Sequence, residues 1–139
     1  MNNSILVDTN ILIYAIDEDS KFHHSASKLL LDSNLNIFTT SKNITEFLVV
    51  LTRHSDIHLS IKDCLEILES LLENLIVLYP IPKTTKVFYE LLKKYNPRGL
   101  WIHDVEIASI AIAYGILTIA TNNVADFIRI KELTVKEIQ

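Results

Sequence analysis

Short apolar runs alternate along the chain with longer segments whose apolar residues recur at helical spacing. The short runs are typical of buried strands, and the longer segments are typical of amphipathic helices. Strands that alternate with helices indicate a parallel sheet covered by helices on both faces. The predicted strands are residues 5–7, 35–39, 75–78 and 116–120, with an edge strand expected within residues 133–138.

Six helices are predicted in the segments between the strands. They begin near Thr9, Phe22, Ile44, Ile61, Thr84 and Asp104. Ser60 is the expected cap of the fourth helix, whose inward stripe is predicted to be Ile61, Leu65, Leu68 and Leu72. Residues 54–58 are predicted to form a loop, and Gly115 is expected to end the sixth helix.

Length and composition predict one domain over residues 1–139. The chain is 49% hydrophobic and has only 2 Gly and 3 Pro, which is typical of a compact fold with few irregular segments. No repeat, linker or low-complexity segment divides it. A single cysteine, Cys64, excludes an internal disulfide and a cysteine-rich zinc site.

Neither a signal peptide nor a membrane span is indicated. The first residues lack a basic region and a small-residue cleavage site. The most apolar stretch, residues 107–120, is interrupted by polar and glycine positions and falls short of the roughly 20 residues that a span needs. We therefore expect a cytoplasmic protein without a membrane partner.

The net charge of −4 argues at first against a nucleic-acid partner. Setting aside the four carboxylates described below leaves thirteen acidic and thirteen basic residues, so the remaining surface is balanced. Basic residues cluster within 83–98 and again at 129–131, where they form either a phosphate-steering patch or an ordinary solvated face.

Asp8 directly follows the first predicted strand and precedes a helix. In open α/β sheets, ligands bind at the carboxyl ends of the strands, so this carboxylate is a candidate binding group. Asp is also a common helix N-cap, which would give Asp8 a structural role. Further carboxylates that reach the same edge of the sheet favour the first interpretation.

Three later acidic residues occupy comparable positions. Glu46 lies in the first turns of the third helix, Asp104 at the start of the sixth, and Asp126 in the loop after the fourth strand. Each has a structural alternative. Asn43 and Glu46 have the spacing of a capping box, and the other two acids are plausible N-caps. Whether Asp104 reaches the same edge depends on how the loop through Gly99 docks.

Carboxylates that share a small pocket resist ionising together unless a cation compensates their charge. Oxygen ligands without cysteine or a histidine set favour Mg²⁺ or Mn²⁺ over zinc. Such an ion binds substrate phosphate and lowers the pKa of a bound water, which indicates phosphodiester hydrolysis. Thr9, Thr121 and Asn123 are candidates to orient a carboxylate, a water or a phosphate oxygen.

Four segments of the chain carry a resemblance to a known family. They are residues 6–12 (LVDTNIL), 43–47 (NITEF), 103–108 (HDVEIA) and 120–127 (ATNNVADF). In this order and spacing they resemble the PIN-domain ribonucleases, and among them the VapC-like toxins of toxin–antitoxin pairs. The resemblance implies a three-layer α/β/α sandwich with a mostly parallel sheet. It also implies metal-dependent endonucleolytic cleavage of RNA that leaves a 5′-phosphate and a 3′-hydroxyl.

Matched residue by residue, the resemblance implies a quartet of catalytic acids: Asp8, Glu46, Asp104 and Asp126. We assign Asp8 and Asp104 as the principal ligands of Mg²⁺ or Mn²⁺, and the other two acids as completing the pocket through waters or a second ion. Thr121 and Asn123 match the family's polar positions before the last acid. The family's toxins also imply an RNA substrate, a homodimer and an antitoxin protein that covers the active site.

Other functions remain open at this point. A PIN fold that binds RNA or protein without catalysis is one alternative, and an RNA-processing nuclease outside toxin–antitoxin systems is another. A receiver-like signalling domain is disfavoured because Asp8 lacks an adjacent acidic partner. Arg98 or Arg129 is a candidate for contact with substrate phosphates, whereas Trp101 either stacks on a base or packs in a core or dimer interface.

Overall fold

The computed structural model describes residues 3–53 and 59–139, and the loop predicted at 54–58 lies outside the described residues. The strands are β1 (Ser4–Val7), β2 (Asn36–Thr40), β3 (Ile76–Leu78), β4 (Thr118–Ala120) and β5 (Thr134–Lys136). They form one sheet in the order β3-β2-β1-β4-β5, and every neighbouring pair is parallel. The predicted parallel sheet and its edge strand are therefore confirmed.

Helices cover both faces of this sheet. They are α1 (Thr9–Ile16), α2 (His23–Leu30), α3 (Ser41–Arg53), α4 (Ile61–Leu72), α5 (Pro82–Tyr95), α6 (Trp101–Ala113) and α7 (Val124–Phe127). Side chains alternate along a strand, so Ile5 and Val7 enter the core formed with α1–α4, whereas Leu6 enters the core formed with α5–α7. Two cores on opposite faces of one sheet make the α/β/α sandwich that the sequence implied.

The direction of winding reverses between β1 and β4. From β1 the chain passes through α1 and α2 to β2 on one side, and β4 pairs with β1 on the other. The Asp8 N–H donates to the Ala120 carbonyl at 3.0 Å, which continues the pairing to the carboxyl edge. Such a switch point leaves a crevice where α/β proteins bind their ligands.

The inward face of α4 differs from the prediction. Cys64 and Leu68 are buried, whereas Ile61 and Leu65 are 57% and 42% exposed. Apolar residues cover much of the circumference of this helix, so the sequence pattern does not show which of them face the core. Packing against α3 selects the side that carries Cys64. The predicted Ser60 cap is confirmed, because its hydroxyl accepts the Asp63 N–H at 3.1 Å.

The helix α6 is apolar on almost every side. Its residues Val105, Ala113 and 107–111 are buried, so it forms the centre of the second core. Gly115 follows its last turn with φ of +77°, a conformation that favours glycine. Among the helices of the described residues, none combines the length and the apolar character needed to cross a bilayer.

Candidate active site at the carboxyl edge of the sheet

Asp8 is buried at the end of β1, with 3% of its surface exposed, and its carboxylate accepts four hydrogen bonds. The Thr9 N–H and the Asn43 side-chain amide both donate to Oδ1 at 2.9 Å. The Thr121 hydroxyl donates to Oδ2 at 2.7 Å, and the Asn10 amide approaches the same oxygen at 3.3 Å. Asp8 is therefore both the N-cap of α1 and the centre of a buried polar network.

The loop after β4 is joined to the start of α1 by hydrogen bonds. The Asn10 amide donates to the Thr121 hydroxyl oxygen at 3.1 Å, and its carbonyl accepts the Asn122 N–H at 3.2 Å. Asn123 contributes its backbone N–H, which donates to the Thr121 hydroxyl at 3.0 Å. The structure thus brings Thr9 and Thr121 together around Asp8, whereas the side chain of Asn123 is exposed.

The expected capping box between Asn43 and Glu46 is wrong. Helix α3 begins at Ser41, directly after β2, so Asn43 lies inside the helix and is fully buried. The side-chain oxygen of Asn43 accepts a hydrogen bond from the Thr40 hydroxyl at 2.6 Å. Its side-chain NH₂ group donates to the Thr9 hydroxyl at 3.0 Å and to the carboxylate of Asp8. Because the Thr40 hydroxyl holds the carbonyl, the amide N–H groups point toward Asp8.

Asn43 is the site residue that the sequence interpretation missed. It shares a face of α3 with Phe47 and Leu51, all three of which are buried. A polar residue that continues an apolar i, i+4 series was the available signal, since such a residue needs a buried partner. The partner is Asp8, 35 positions away in the chain.

Glu46 lies one turn beyond Asn43 and interacts with the same centre. Burial of its carboxyl group raises its pKa, and the negative charge of Asp8 raises it further. A hydrogen bond from the Thr9 hydroxyl acts in the opposite direction. Glu46 is therefore within electrostatic range of Asp8, although its side chain as a whole is exposed at the rim.

Asp104 lies in the first turn of the long helix α6 and Asp126 inside the short helix α7, so the N-cap alternatives are wrong for both. Helix α6 begins at Trp101, and α7 is capped at Asn123. Burial raises the pKa of Asp104 to about 7, with further increases from the charges of Asp126, Asp8 and Glu46. Burial also raises the pKa of Asp8, and Asp126 contributes to that increase. The charges of the other three predicted acids thus all reach Asp104, which places the four near one another at the carboxyl edge of the sheet.

The donor set is suited in kind to a hard divalent cation. It consists of carboxylate oxygens with threonine hydroxyls beside them, and oxygen ligands are those that Mg²⁺ and Mn²⁺ prefer. Mutual repulsion among the carboxylates is the effect that a cation relieves. Within residues 3–53 and 59–139, no three His, Cys, Asp or Glu side chains already form a metal-binding group.

Basic and aromatic side chains border the acidic crevice on two sides. On the side of Glu46, Lys42 forms a salt bridge of 2.9 Å with Glu106 and lies 3.5 Å from His103. On the side of Asp126, Trp101 is partly buried against the second core, and Arg129 lies over its ring. Core packing is therefore the observed role of Trp101.

A doubly wound parallel sheet with carboxylates at its switch point defines an α/β protein with an acidic binding crevice. Residues 5–133 match the model of the PIN domain, and the chain therefore belongs to the PIN-domain family. This confirms the family that the four sequence segments resemble.

Solved structures with the same fold come from toxin–antitoxin complexes. A chain of VapBC2 from Rickettsia felis, bound to a DNA fragment from the promoter, has a TM-score of 0.75 and 25% identity, with 98% of this chain and 99% of that chain covered. A chain of VapBC-1 from nontypeable Haemophilus influenzae has a TM-score of 0.70 and 24% identity, with coverages of 96% and 97%.

A third structure, DNA-bound VapBC from Salmonella typhimurium, gives a TM-score of 0.72 and 23% identity, with coverages of 99% and 98%. No curated protein matches the sequence significantly. The likeness spans nearly the whole of each compared chain, so this protein has the VapC-like form of the PIN fold.

Proposed function

We propose that this protein is a metal-dependent endoribonuclease that hydrolyses RNA phosphodiester bonds and acts as the toxin of a toxin–antitoxin pair. Membership of the PIN-domain family and the likeness to chains of VapBC complexes support the assignment. The observation that carries it is the group formed by Asp8 and three further carboxylates, in which burial and then the charges of the other three acids raise the pKa of Asp104 to about 7. Such a group is suited to binding a cation and, through it, a phosphate.

In this proposal Asp8 and Asp104 are the principal ligands of Mg²⁺ or Mn²⁺, while Glu46 and Asp126 complete the pocket. When bound, the ion supplies Lewis-acid stabilisation of the phosphate and an acidified water. Asn43 serves by holding the carboxylate of Asp8 in one orientation.

Three hydroxyl or amide groups complete the polar surroundings. Thr121 holds the second oxygen of Asp8, and Thr9 orients Glu46. Asn123 is the remaining candidate for contact with a water or with substrate, because its side chain is exposed.

We further propose that residues 1–139 act as one domain in the cytoplasm and form a homodimer. A cognate antitoxin is the proposed protein partner, since the similar structures come from complexes described as VapBC. Production of the chain alone should then arrest growth, and co-production of the neighbouring open reading frame should relieve the arrest. Growth without arrest, together with intact nuclease activity, would favour an RNA-processing role.

Replacement of single acids tests the catalytic proposal. We expect Asp8→Asn and Asp104→Asn each to lower the cleavage rate of total RNA by at least about a thousandfold in Mg²⁺ or Mn²⁺, because each removes a ligand of the reacting centre. Glu69→Gln, an exposed acid on α4, is the matched control and should cleave like the wild type. Equal cleavage by all four proteins would refute the assignment.

The binding-only alternative gives a different result in the same experiment. If purified wild-type protein, free of antitoxin, binds RNA but cleaves none of a broad RNA panel, the PIN fold functions here as a binding module. Cleavage products with 5′-phosphate ends would instead agree with the proposed hydrolysis.

A further inference from the structure

Arg129 lies at the border of the acidic crevice with its guanidinium stacked on an aromatic ring. The guanidinium carbon is 3.7 Å from the centroid of the Trp101 ring. At this distance the cation is attracted to the electron-rich face of the indole, and the planar group lies against it. The stacking restricts a side chain that would otherwise sample many rotamers.

Trp101 is itself held in place. Its Nε1–H donates to the backbone carbonyl of Asp126 at 2.6 Å, and its ring meets Tyr95 edge-on, with centroids 6.3 Å apart and planes at 73°. The indole therefore links Arg129 to the turn that carries one of the four acids. The charge of Arg129 also reaches a second acid, because it lowers the pKa of Asp104 against the increases from burial and the neighbouring carboxylates.

The donor groups of Arg129 have no partner among residues 3–53 and 59–139. No carboxylate oxygen of these residues lies within 4.0 Å of the guanidinium, and the side chain makes no hydrogen bond to them. The residue is exposed, so its N–H groups face solvent beside the crevice. A planar guanidinium with free donors is suited to bidentate binding of a phosphate.

We propose that Arg129, positioned by Trp101, binds a backbone phosphate of the RNA next to the phosphate that is hydrolysed. This inference rests on the proposed nuclease function. No carboxylate of the four lies within 4.0 Å of the guanidinium, so we assign it to the flanking phosphate, and the kinetics below distinguish this from contact with the reacting one. Its effect is therefore on substrate binding, equally in the ground state and the transition state.

Binding measurements in an Asp104→Asn background test this directly, with a fluorescein-labelled 20-nucleotide single-stranded RNA as the probe. We expect Arg129→Gln to weaken binding about tenfold and to lower the slope of log K against log salt by roughly 0.7, the value for one phosphate contact on a single strand. Arg129→Lys should keep the salt slope, because it keeps the positive charge. It should bind several-fold more weakly, because an ammonium group cannot make the two parallel hydrogen bonds of a guanidinium.

Variants of Trp101 separate charge from positioning. Trp101→Phe keeps a stacking face and should bind like the parent, whereas Trp101→Leu should bind about threefold more weakly with an unchanged salt slope. Lys28→Gln is the matched charge control, since this exposed lysine lies on α2, which leads to the opposite edge of the sheet. It should alter neither affinity nor slope by a measurable amount. Circular dichroism confirms that each variant is folded.

Kinetics on the otherwise wild-type chain give the second readout. Arg129→Gln should raise KM about tenfold and leave kcat within about twofold. Unchanged affinity and salt slope for Arg129→Gln would overturn the inference alone, as would a loss confined to kcat. Failure of the wild-type chain to bind or cleave any RNA in Mn²⁺ would contradict the proposed function as well, so the two failures are distinguishable.

Discussion

The two sides of the acidic crevice are built differently. On the strand side, Asp8 is buried and accepts hydrogen bonds from four groups. On the helix side, no hydrogen bond to the Asp104 carboxylate is formed by the described residues, and its pKa rises to about 7. The protein therefore orients the carboxylate of Asp8 with hydrogen bonds and provides none for that of Asp104, although burial raises the pKa of both.

This difference shows that hydrogen bonds and counter-charges are separate requirements of a carboxylate site. Neutral donors fix the direction of a carboxylate and lower its pKa, but the negative charges of its neighbours remain. The strand side is ordered by hydrogen bonds and the helix side is not, but on both sides the buried carboxylate charge is unfavourable until a cation or a proton arrives. Functional sites commonly reduce the stability of the fold in this way.

The largest expected effect on stability and cleavage follows from removing a side chain that orients Asp8 by hydrogen bonding. We predict that Asn43→Leu lowers the free energy of unfolding by about 2–3 kcal/mol, because Asp8 and Thr40 each lose a buried partner. The cleavage rate should fall by about 10- to 100-fold, as for other residues that orient a metal ligand. Chemical denaturation and RNA cleavage measure the two effects.

Thr45→Val serves as the matched control for this prediction. It removes a hydroxyl from the exposed side of the same helix, where the hydroxyl donates to the Ser41 carbonyl. We expect it to change stability by less than about 0.5 kcal/mol. If Asn43→Leu behaved like this control, the polar network around Asp8 would have no part in ordering the site.

The second prediction concerns the missing counter-charge. At a free Mn²⁺ concentration one hundred times Kd, binding should stabilise the wild type by about 2.7 kcal/mol, measured as a rise in Tm. Asp104→Asn should abolish most of that rise if the proposed assignment of Asp104 as a principal ligand is correct. A rise of equal size in both proteins would place the cation away from Asp104.

The third prediction is a pH dependence in the absence of divalent cations. A carboxyl group whose pKa is raised on folding, here from 3.8 to about 7, stabilises the fold fully below pH 4 and loses that contribution as the pH rises toward 7. Asp104→Asn does not titrate. Its Tm relative to the wild type should therefore increase from pH 4 to pH 7 by roughly 5 °C, about half of what the full shift would give, because Asp104 is only partly buried and solvent screens its charge. Calorimetry across that range measures the increase. A constant difference would contradict the assignment of the raised pKa to Asp104.

The smallest effect is expected from the ion pair at the border of the crevice. Lys42 and Glu106 join α3 to α6, yet both side chains are about one third exposed. Glu106→Gln should lower stability by less than about 1 kcal/mol, as for other partly exposed pairs, and should leave RNA cleavage within twofold. A large loss of cleavage would show that the pair holds the two sides of the crevice in register.

Part of the site was predictable because strand ends can be recognised locally. Asp8 follows a buried apolar run, and the parallel sheet brings the ends of such runs to one edge. The capping alternatives for Asp104 and Asp126 were wrong because the helices begin two or three residues earlier than the sequence pattern indicated. Helix starts depend on tertiary packing as much as on the capping residue.

The sequence by itself determined the alternation of strands and helices, the parallel sheet and the positions of Asp8, Glu46 and Asp126 near its carboxyl edge, because these follow from short-range hydrophobic periodicity. Only the folded chain brings Asp104 to the same edge. The tertiary structure decided which arc of α4 faces inward, where the Asn43 amide points and what lies on Trp101. These features depend on contacts between distant positions, such as the 2.7 Å hydrogen bond from Thr121 to Asp8 across 113 residues. Local pattern contains no information about such pairs, so only the folded chain shows them.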